Sequence, residues 1–370
     1  MASTLHAKYG LKRVINASGR MSILGVSAPS DTVMDAMRIG GQSFVEIADL
    51  VGKAGDRIAN QIGFESALVV NSASSGIALS VAGIVTEGDR GRSVRLHQSP
   101  ILKNEIVMLK GHNVQYGAPV ETMVYLGGGR IVEAGYANEG TVRQIEEVVT
   151  ERTAALLYVK SHHAVQKNMA SVEETWALAQ KLHLPLIVDA AAEEDLQRYA
   201  SCSDLVIFSG SKAIEGPTSG IVAGKRTLVE QVKVQLHGIG RSMKVGKETT
   251  FGLLQALDEY LDKKDTSEQE REALNALLPL GELDGVTVSI VQDEAGRAIY
   301  RARIKIDPML AGTDAVQTVD SLQNGEIAVY TRDYGARQGY FDIDPRPLLG
   351  DDMQVIERRL RELLLLKGGN

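Results

Sequence analysis

The chain has 370 residues, 44% hydrophobic and 24% charged, an ordinary composition for a globular protein with room for more than one domain. Its formal net charge of −7 argues against a nucleic-acid surface as the main feature, because phosphate binding needs an excess of clustered Lys and Arg. One cysteine, Cys202, excludes an intrachain disulfide. No apolar run approaches the roughly 20 residues that span a bilayer, and the N-terminus lacks the apolar core of a signal peptide. We therefore expect a cytoplasmic protein.

The first two helices are predicted before residue 63. Pro29-Ser30-Asp31 is typical of a helix start and predicts a helix over 30–39, while helically spaced apolar residues predict another over 45–62. From residue 66 short apolar strands alternate with helical segments, a pattern typical of βαβ units and a mostly parallel sheet covered on both faces. The predicted strands are 67–70, 105–109, 123–126, 154–159, 185–188, 205–208 and 220–223. The predicted helices are 75–85, 141–149, 172–181 and 225–237.

The pattern changes after Gly240. A helix is predicted over 246–262, then a charged stretch from Lys263, and the elements after that stretch are strands over 286–291, 298–306 and 326–331 and a helix over 351–366. This order is typical of a small α+β domain appended to a larger one. We predict an N-terminal arm over 1–40, a large α/β domain with a mostly parallel seven-stranded sheet over 41–240, and a small α+β domain over 241–370.

A carboxylate and a lysine follow two successive predicted strands. Asp189 ends the apolar run 184–188, and Lys212 comes one strand later in Ser209-Gly210-Ser211-Lys212. Open parallel sheets bind ligands at the carboxyl ends of their strands. A lysine that can form a Schiff base with an aldehyde, and a carboxylate that keeps a pyridine nitrogen protonated, are what a pyridoxal 5'-phosphate (PLP) site needs. The alternatives are a surface lysine and an aspartate that caps a helix over 190–196.

Small hydroxyl residues and a glycine open the predicted helix after the first strand of the sheet, at residues 71–76. A helix N-terminus offers free N–H groups and a positive dipole end to a phosphate. Ser209 and Ser211 can donate hydrogen bonds to the same group. Alone, the 71–76 segment is also compatible with a helix cap that has only a structural role.

Histidines follow two further strands. His112 comes after the strand 105–109, and its imidazole is a candidate to stack on a pyridine ring. The alternative for it is a loop histidine without a role. His162 and His163 follow the strand 154–159 and reach the same sheet edge. One of this pair is a candidate substrate contact, and at least one is expected to be structural.

Cationic side chains provide candidate anion sites. Arg332 closes the strand 326–331, and a guanidinium binds a carboxylate with two parallel hydrogen bonds. A looser basic set is suited to a second anionic group of the substrate; its members are Arg20, Arg241, Lys244 and Lys247. A surface arginine and a solvated run of charges are the alternatives. We predict no metal site.

Several stretches resemble the fold-type-I PLP-dependent enzymes, and within them the branch of selenocysteine synthase, the bacterial L-seryl-tRNA selenium transferase, with its smaller relatives. The stretches that carry the resemblance are 14–19, 71–76, 187–189, 208–225 and 341–346. The selenium transferase that uses tRNA has an extra N-terminal domain, whereas this chain starts almost directly at the Asn16 motif. The chain also lacks the excess of basic residues that tRNA binding would favour. The chain more closely resembles the small-molecule members, the D-glucosaminate-6-phosphate ammonia-lyases or dehydratases.

The resemblance implies roles for the candidate residues. Lys212 would be the Schiff-base lysine, Asp189 the partner of the pyridinium nitrogen and Arg332 the carboxylate clamp, while His112 is placed more by position than by motif. The implied phosphate ligands are Ser74, Ser75, Gly76, Ser209 and Ser211. Fold-type-I enzymes build active sites at subunit interfaces, so the resemblance also implies a homo-oligomer, a dimer or a multiple of dimers.

Four functions are considered for these residues. The favoured one is a lyase in which Lys212 removes the α-proton, the β-hydroxyl leaves as water, and a 2-keto acid and ammonia result. For D-glucosaminate 6-phosphate, a phosphorylated small molecule, the product would be 2-keto-3-deoxy-6-phosphogluconate. The alternatives are a transferase acting on aminoacyl-tRNA, which the acidic balance disfavours, or another PLP-dependent β-eliminating enzyme acting on an amino acid. A binding protein without catalysis is disfavoured by the intact Lys212 and Asp189. We expect neither a nucleic-acid partner nor a membrane.

Overall fold

The computed structural model of the chain describes residues 2–98, 101–161, 163–293 and 298–365, with side chains from Leu5 onward. They form two compact units, Pro29–Asp262 and a second made of Met1–Ala28 and Lys263–Asn370. His162 and Leu366, the last residue of the predicted C-terminal helix, lie outside the described residues.

The α-helices are numbered in chain order. They are α1 (Ala2–Lys8), α2 (Asp31–Gln42), α3 (Ile47–Ile62), α4 (Ala73–Val85), α5 (Arg90–Val94), α6 (Val120–Leu126), α7 (Val142–Val148), α8 (Val172–Leu182), α9 (Arg226–Val234), α10 (Lys247–Leu261), α11 (Ser267–Ala273), α12 (Pro308–Ala311), α13 (Ala315–Gln323) and α14 (Asp352–Leu365). Short 3-10 helices cover Ser22–Leu24, Lys110–His112, Gln235–His237, Ile239–Arg241, Leu274–Glu282 and Ala336–Gln338. Within the described ranges, no helix is both long enough and apolar enough to cross a membrane.

The strands of the described residues fall into three sheets. They are β1 (Val14–Ala17), β2 (Ser66–Val70), β3 (Glu105–Leu109), β4 (Arg130–Ala134), β5 (Thr153–Val159), β6 (Leu186–Asp189), β7 (Leu205–Ser209), β8 (Gly220–Gly224), β9 (Val286–Gln292), β10 (Tyr300–Ile306), β11 (Ala328–Thr331) and β12 (Tyr340–Ile343). The large sheet has the order β2-β8-β7-β6-β5-β3-β4. Its strands pair in parallel except at β8, which is antiparallel to both β2 and β7.

Two apolar layers cover the large sheet because its central strands are apolar on both faces, as parallel strands buried between helices require. Successive residues of a strand belong to different layers: Leu156 and Tyr158 pack in one, Leu157 and Val159 in the other. Every residue of β5 is buried. Because both faces of the sheet are buried, its polar groups can reach a ligand only at the ends of the strands.

The prediction of a mostly parallel, seven-stranded sheet is confirmed, but one of its predicted strands is wrong. Residues 123–126 belong to the helix α6, and the seventh strand is β4, which carries charged residues and lies at the sheet edge. A run of four apolar residues does not distinguish a strand from a buried helix turn. The helix over 190–196 that the capping alternative for Asp189 requires is absent, since these described residues form turns and bends.

The boundaries of the compact units fall at residues 28 and 262, whereas the sequence predicted domain limits at 40 and 240. Helices α2 and α10 explain the difference because they pack closely against each other within the larger unit. The Lys247 ammonium, at the start of α10, donates to the Gly40 carbonyl at 2.7 Å and to the Gly41 carbonyl near the end of α2. It therefore satisfies carbonyl groups at the C-terminal end of a helix.

The smaller unit contains a parallel pair, β1 with β11, and an antiparallel sheet of order β12-β10-β9. Its interior holds an ion-pair network as well as an apolar core. Arg301 contacts Asp344 and Asp293, each at 3.1 Å, and Arg346 contacts Asp344 at 2.7 Å. Burial alone would raise the pKa of Asp344, but hydrogen bonds and charge from Arg346, with the charge of Arg301, hold it below its usual range.

Candidate active site

Asp189 and Lys212 lie at the carboxyl ends of neighbouring strands of the large sheet. Asp189 is the last residue of β6, where it pairs with Val159 of β5 and Ile207 of β7. Lys212 follows β7 in a loop closed by two backbone hydrogen bonds. The Gly210 N–H donates to the Ser219 carbonyl at 2.9 Å, and the Gly216 N–H donates to the Gly210 carbonyl at 2.8 Å. These hydrogen bonds restrain the backbone that carries the lysine.

The carboxylate of Asp189 lacks full compensation within the chain. Burial raises its pKa above the ordinary value, although the Ala191 N–H, 3.1 Å from Oδ1, and the charge of Lys212 both act in the opposite direction. A partly buried carboxylate with a raised pKa needs a cationic or hydrogen-bonding partner. The helix-cap alternative for Asp189 is wrong, because no helix follows it.

The N-terminus of α4, the predicted phosphate site, carries a capping box. The Ser72 hydroxyl accepts from the Ser75 N–H at 3.1 Å, and the Ser75 hydroxyl accepts from the Ser72 N–H at the same distance. This capping box occupies the buried Ser75 hydroxyl. Ser74 is only partly buried, and its hydroxyl accepts from the Tyr116 hydroxyl at 3.0 Å. Ser74 is therefore better placed than Ser75 to offer a side-chain hydroxyl to a ligand.

Two glycines let α4 approach the sheet. A Cβ on Gly76 would lie 2.9 Å from Cγ2 of Ile207, and a Cβ on Gly220 would lie 2.6 Å from the Ser72 carbonyl carbon and 2.7 Å from the Ala73 nitrogen. Gly76 thus has a packing role that is separate from any phosphate contact. Gly220, the first residue of β8, allows that strand to touch the first turn of α4.

Ser209 and Ser211 flank the start of the lysine loop. Their hydroxyl oxygens lie 3.3 Å apart, with Ser209 partly exposed and Ser211 buried. Either hydroxyl can act as the donor in this pair. Both serines lie in the segment that carries Lys212, and their contact with the cofactor phosphate stays a prediction.

His112 is completely buried, in the 3-10 turn after β3. Its Nε2 lies 3.1 Å from the Val165 carbonyl, and its ring meets the Tyr158 ring edge-on with centroids 4.4 Å apart. Its Nδ1 is buried without a hydrogen-bond partner. Burial lowers the pKa of His112 to about 4, with a further contribution from the charge of Lys160. His112 is therefore neutral at physiological pH, and stacking on a cofactor ring stays a prediction.

The other predicted substrate ligands lie in both units. His163, Arg241 and Lys244 belong to the larger unit and are exposed. Arg332 and Arg20 belong to the smaller unit and are partly buried. The Arg332 guanidinium lies 5.0 Å from the centre of the Tyr334 ring, and its backbone pairs with that of Asp342. Their roles toward a substrate stay predictions.

Tyr116 is the site residue that the sequence did not indicate. It lies in the loop between β3 and α6, partly buried, with its hydroxyl on Ser74. Burial raises the pKa of its hydroxyl, opposed by the hydrogen bond to Ser74, and the charge of Asp189 raises it further. Tyrosines in loops carry no spacing signal, so only the fold reveals this one.

The residues present fit PLP. A helix N-terminus for the phosphate, a lysine for the aldehyde and an under-compensated carboxylate for the ring nitrogen all belong to the carboxyl edge of one sheet. In the described part of the chain, no group of three or more His, Cys, Asp or Glu side chains could hold a metal ion.

Comparison with known proteins assigns the family. A family model of SelA, L-seryl-tRNA selenium transferase, matches residues 54–278, more than half of the chain. The chain belongs to the SelA family. Among its relatives, a D-glucosaminate-6-phosphate ammonia lyase from Salmonella typhimurium (strain 14028s / SGSC 2262) is 46% identical over 369 residues, which are 98% of each protein. A 5'-C-glycyluridine monooxygenase-decarboxylase from Streptomyces sp is 39% identical over 366 residues, 97% of this chain and 92% of the relative.

A solved structure of a D-glucosaminate-6-phosphate ammonia-lyase matches this SelA-family chain with a TM-score of 0.93 at 45% identity, covering 98% of both chains. The fold is that of the fold-type-I PLP-dependent enzymes, and the cofactor of the chain is pyridoxal 5'-phosphate. The predictions of family, fold class and cofactor are confirmed.

Proposed function

We propose that this SelA-family protein is a PLP-dependent carbon–nitrogen lyase that converts D-glucosaminate 6-phosphate into 2-keto-3-deoxy-6-phosphogluconate and ammonia. The observation that carries the proposal is the 46% identity, over 98% of each protein, to a D-glucosaminate-6-phosphate ammonia lyase. The placement of Asp189 at the end of β6 and of Lys212 in the loop after the adjacent strand β7 supports the chemistry.

When bound, PLP supplies an aldehyde that holds the substrate amine and a protonated ring that withdraws electrons from the carbon bearing that amine. Asp189 holds the proton on the ring nitrogen. Lys212 Nζ removes the proton from substrate C2 and then delivers a proton to the 3-hydroxyl, which leaves as water. After release, the unsaturated amine tautomerises and is hydrolysed, so that one water is taken up and ammonia departs. The overall reaction therefore neither consumes nor produces water.

The remaining side chains bind and orient. The N-terminus of α4 and Ser74 hold the cofactor phosphate, with Ser209 and Ser211 as further donors. In the same proposal Arg332 binds the substrate carboxylate. The residues proposed to contact the sugar chain and its phosphate are His163, Arg20, Arg241 and Lys244.

Replacement of the lysine tests the proposal. Lys212→Ala removes the base at C2, and we expect formation of keto acid and ammonia from D-glucosaminate 6-phosphate to fall by at least about 100-fold, since one positioned acid–base group contributes about 100- to 10,000-fold. The matched control is Lys53→Ala, whose ammonium is exposed on α3 and pairs with Asp49. Wild-type turnover in the Lys212→Ala protein would contradict the mechanism.

The Streptomyces relative favours one competing function, a monooxygenase-decarboxylase. The two are separated by products. We expect equimolar keto acid and ammonia from D-glucosaminate 6-phosphate, without uptake of dioxygen or release of carbon dioxide. Oxygen uptake with 5'-C-glycyluridine, and no keto acid from the phosphorylated amino sugar acid, would favour the competitor. The transferase acting on seryl-tRNA is less supported, because a Clostridium perfringens selenium transferase shares only 26% identity.

We also propose a cytoplasmic location and a homo-oligomer, a dimer or a multiple of dimers. The single cysteine supports the first, because it gives no intrachain disulfide framework. The second rests on the fold type. Light scattering on the purified holoenzyme gives the mass in solution, and a value near the 39.9 kDa of one chain would contradict it.

A further inference from the structure

A tight loop presents Tyr116 to the cofactor site. The Tyr116 backbone N–H donates to the Ala118 carbonyl at 3.2 Å, and the Val120 N–H donates to the Val114 carbonyl at 3.0 Å. Gly117 adopts φ of +116°, which favours glycine and closes the turn. These bonds fix the position of residue 116 between β3 and α6.

The Tyr116 side chain connects this loop to α4. Its partly buried ring packs against the same apolar layer as Ala73, the first residue of α4. Its hydroxyl donates to Ser74 Oγ at 3.0 Å, across 42 positions of sequence. Because the Ser74 oxygen accepts this bond, the Ser74 O–H is directed to another acceptor, and donation strengthens when the same oxygen accepts a hydrogen bond.

We propose that Tyr116 is a positioning residue of the cofactor-phosphate subsite, acting through Ser74 so that the Ser74 O–H points to a phosphate oxygen. The proposal rests on the assignment of PLP as cofactor and extends it to a residue that has no part in the proposed acid–base steps. Ser75 does not fill this role with its side chain, because its hydroxyl is bound in the capping box.

The phosphate can be tested apart from the ring. Pyridoxal has the ring and aldehyde of PLP but no phosphate, so a residue that acts on the phosphate affects only PLP. We expect Tyr116→Phe, which keeps the ring and loses the hydroxyl, to weaken PLP binding to the full-length apoenzyme by roughly 2- to 10-fold, the effect of one hydrogen bond. Pyridoxal affinity, measured by the same absorbance titration, should stay unchanged.

Two further variants sharpen the test. Tyr125→Phe is the control, because Tyr125 is exposed near the end of α6, and it should bind PLP as the wild type does. Ser74→Ala and Tyr116→Phe should each weaken PLP binding, and the double variant should be no weaker than Ser74→Ala alone, because the two act in series.

The outcomes separate this inference from the proposed function. Unchanged PLP affinity in Tyr116→Phe, equal weakening of PLP and pyridoxal, or additive losses in the double variant would overturn the role of Tyr116 while the lyase proposal stands. A wild-type chain that bound neither PLP nor pyridoxal would overturn both.

Discussion

Asp189 is a residue whose environment in the folded chain disfavours its functional charge. Burial raises its pKa, and the Ala191 N–H and the Lys212 charge only partly compensate. In its proposed role Asp189 would gain this positive partner from the protonated pyridine nitrogen of PLP, so that cofactor binding and the charge on Asp189 would stabilise each other. The chain alone is therefore less stable than it would be with a neutral side chain at this position.

The variant Asp189→Asn makes this conflict measurable. A carboxyl with a raised folded-state pKa contributes stability that is present below its unfolded pKa and lost as pH rises through the folded value. We expect cofactor-free Asp189→Asn to melt at a higher temperature than the cofactor-free wild type at pH 8, with the difference shrinking toward pH 4. Asp35→Asn, at an exposed aspartate of α2, is the control. A difference in melting temperature that does not depend on pH would contradict the argument. We also expect Asp189→Asn to lose most of the lyase activity.

His112 gives a second titration prediction. Burial lowers its pKa to about 4, so the ring stays neutral and any contact it makes with a cofactor is made as uncharged imidazole. We expect its ring nitrogen resonances, identified by their loss in His112→Gln, to stay constant from pH 5.5 to pH 8. A histidine with a lowered pKa opposes folding as pH falls below its unfolded value of about 6.5. A titration midpoint near pH 6.5 for the His112 nitrogen resonances would refute the burial argument.

At the scale of elements, the α4 N-terminus depends on its contact with β8. A methyl group on Gly220 would lie 2.6 Å from the Ser72 carbonyl carbon, a backbone atom that cannot move without displacing the first turn of α4. Overpacking of this kind typically costs about 1–3 kcal/mol. The position therefore links the stability of the larger unit to the geometry of the first turn of α4, the proposed phosphate site.

We expect Gly220→Ala to lower the free energy of unfolding by about 1–3 kcal/mol and also to weaken PLP binding. The control is Gly52→Ala in α3, where no atom lies within 4 Å of the added Cβ. That substitution should stabilise by about 0.5–1 kcal/mol, because alanine favours a helix. Denaturant unfolding and PLP titration of both variants measure the two effects. A Gly220→Ala protein with wild-type affinity for PLP would show that the contact does not shape the site.

The sequence predicted most elements of the larger unit because its central strands are apolar on both faces and bounded by polar turns. It predicted Asp189 and Lys212 because both follow such strands. It missed β4 because an edge strand is covered on fewer sides, so its charged residues, Arg130 and Glu133, hide the pattern. It missed Tyr116 because the partner, Ser74, is distant in sequence and the contact arises only on folding.

At the scale of the whole molecule, the two compact units are stabilised differently. The larger one has apolar layers on both faces of its sheet, whereas the smaller adds the buried network of Arg301, Asp344 and Arg346 to its apolar core. Removal of one member of a buried ion pair leaves the partner charges without compensation. The stability of the smaller unit therefore depends on the charge of Asp344 and so on pH.

We expect Asp344→Ala to lower the free energy of unfolding by about 3–5 kcal/mol at pH 7. The pKa of Asp344 lies below its usual range, so its contribution is present above the unfolded pKa and is lost as pH falls through the folded value. The penalty of the substitution should therefore shrink in acid. Asp35→Ala breaks an exposed pair on α2 and should cost less than about 1 kcal/mol. Equal effects of the two variants in urea unfolding would contradict this difference.

The reversed direction of β8 has a consequence for how members of this family can diverge. Since the strand returns directly after the lysine loop and touches the start of α4, a single short segment supports both the loop that carries Lys212 and the first turn of α4. Neither the lysine loop nor the first turn of α4 can move without displacing the other. A change in β8 therefore acts on the lysine loop and on the first turn of α4 together, whereas a change in a loop that touches neither leaves both in place.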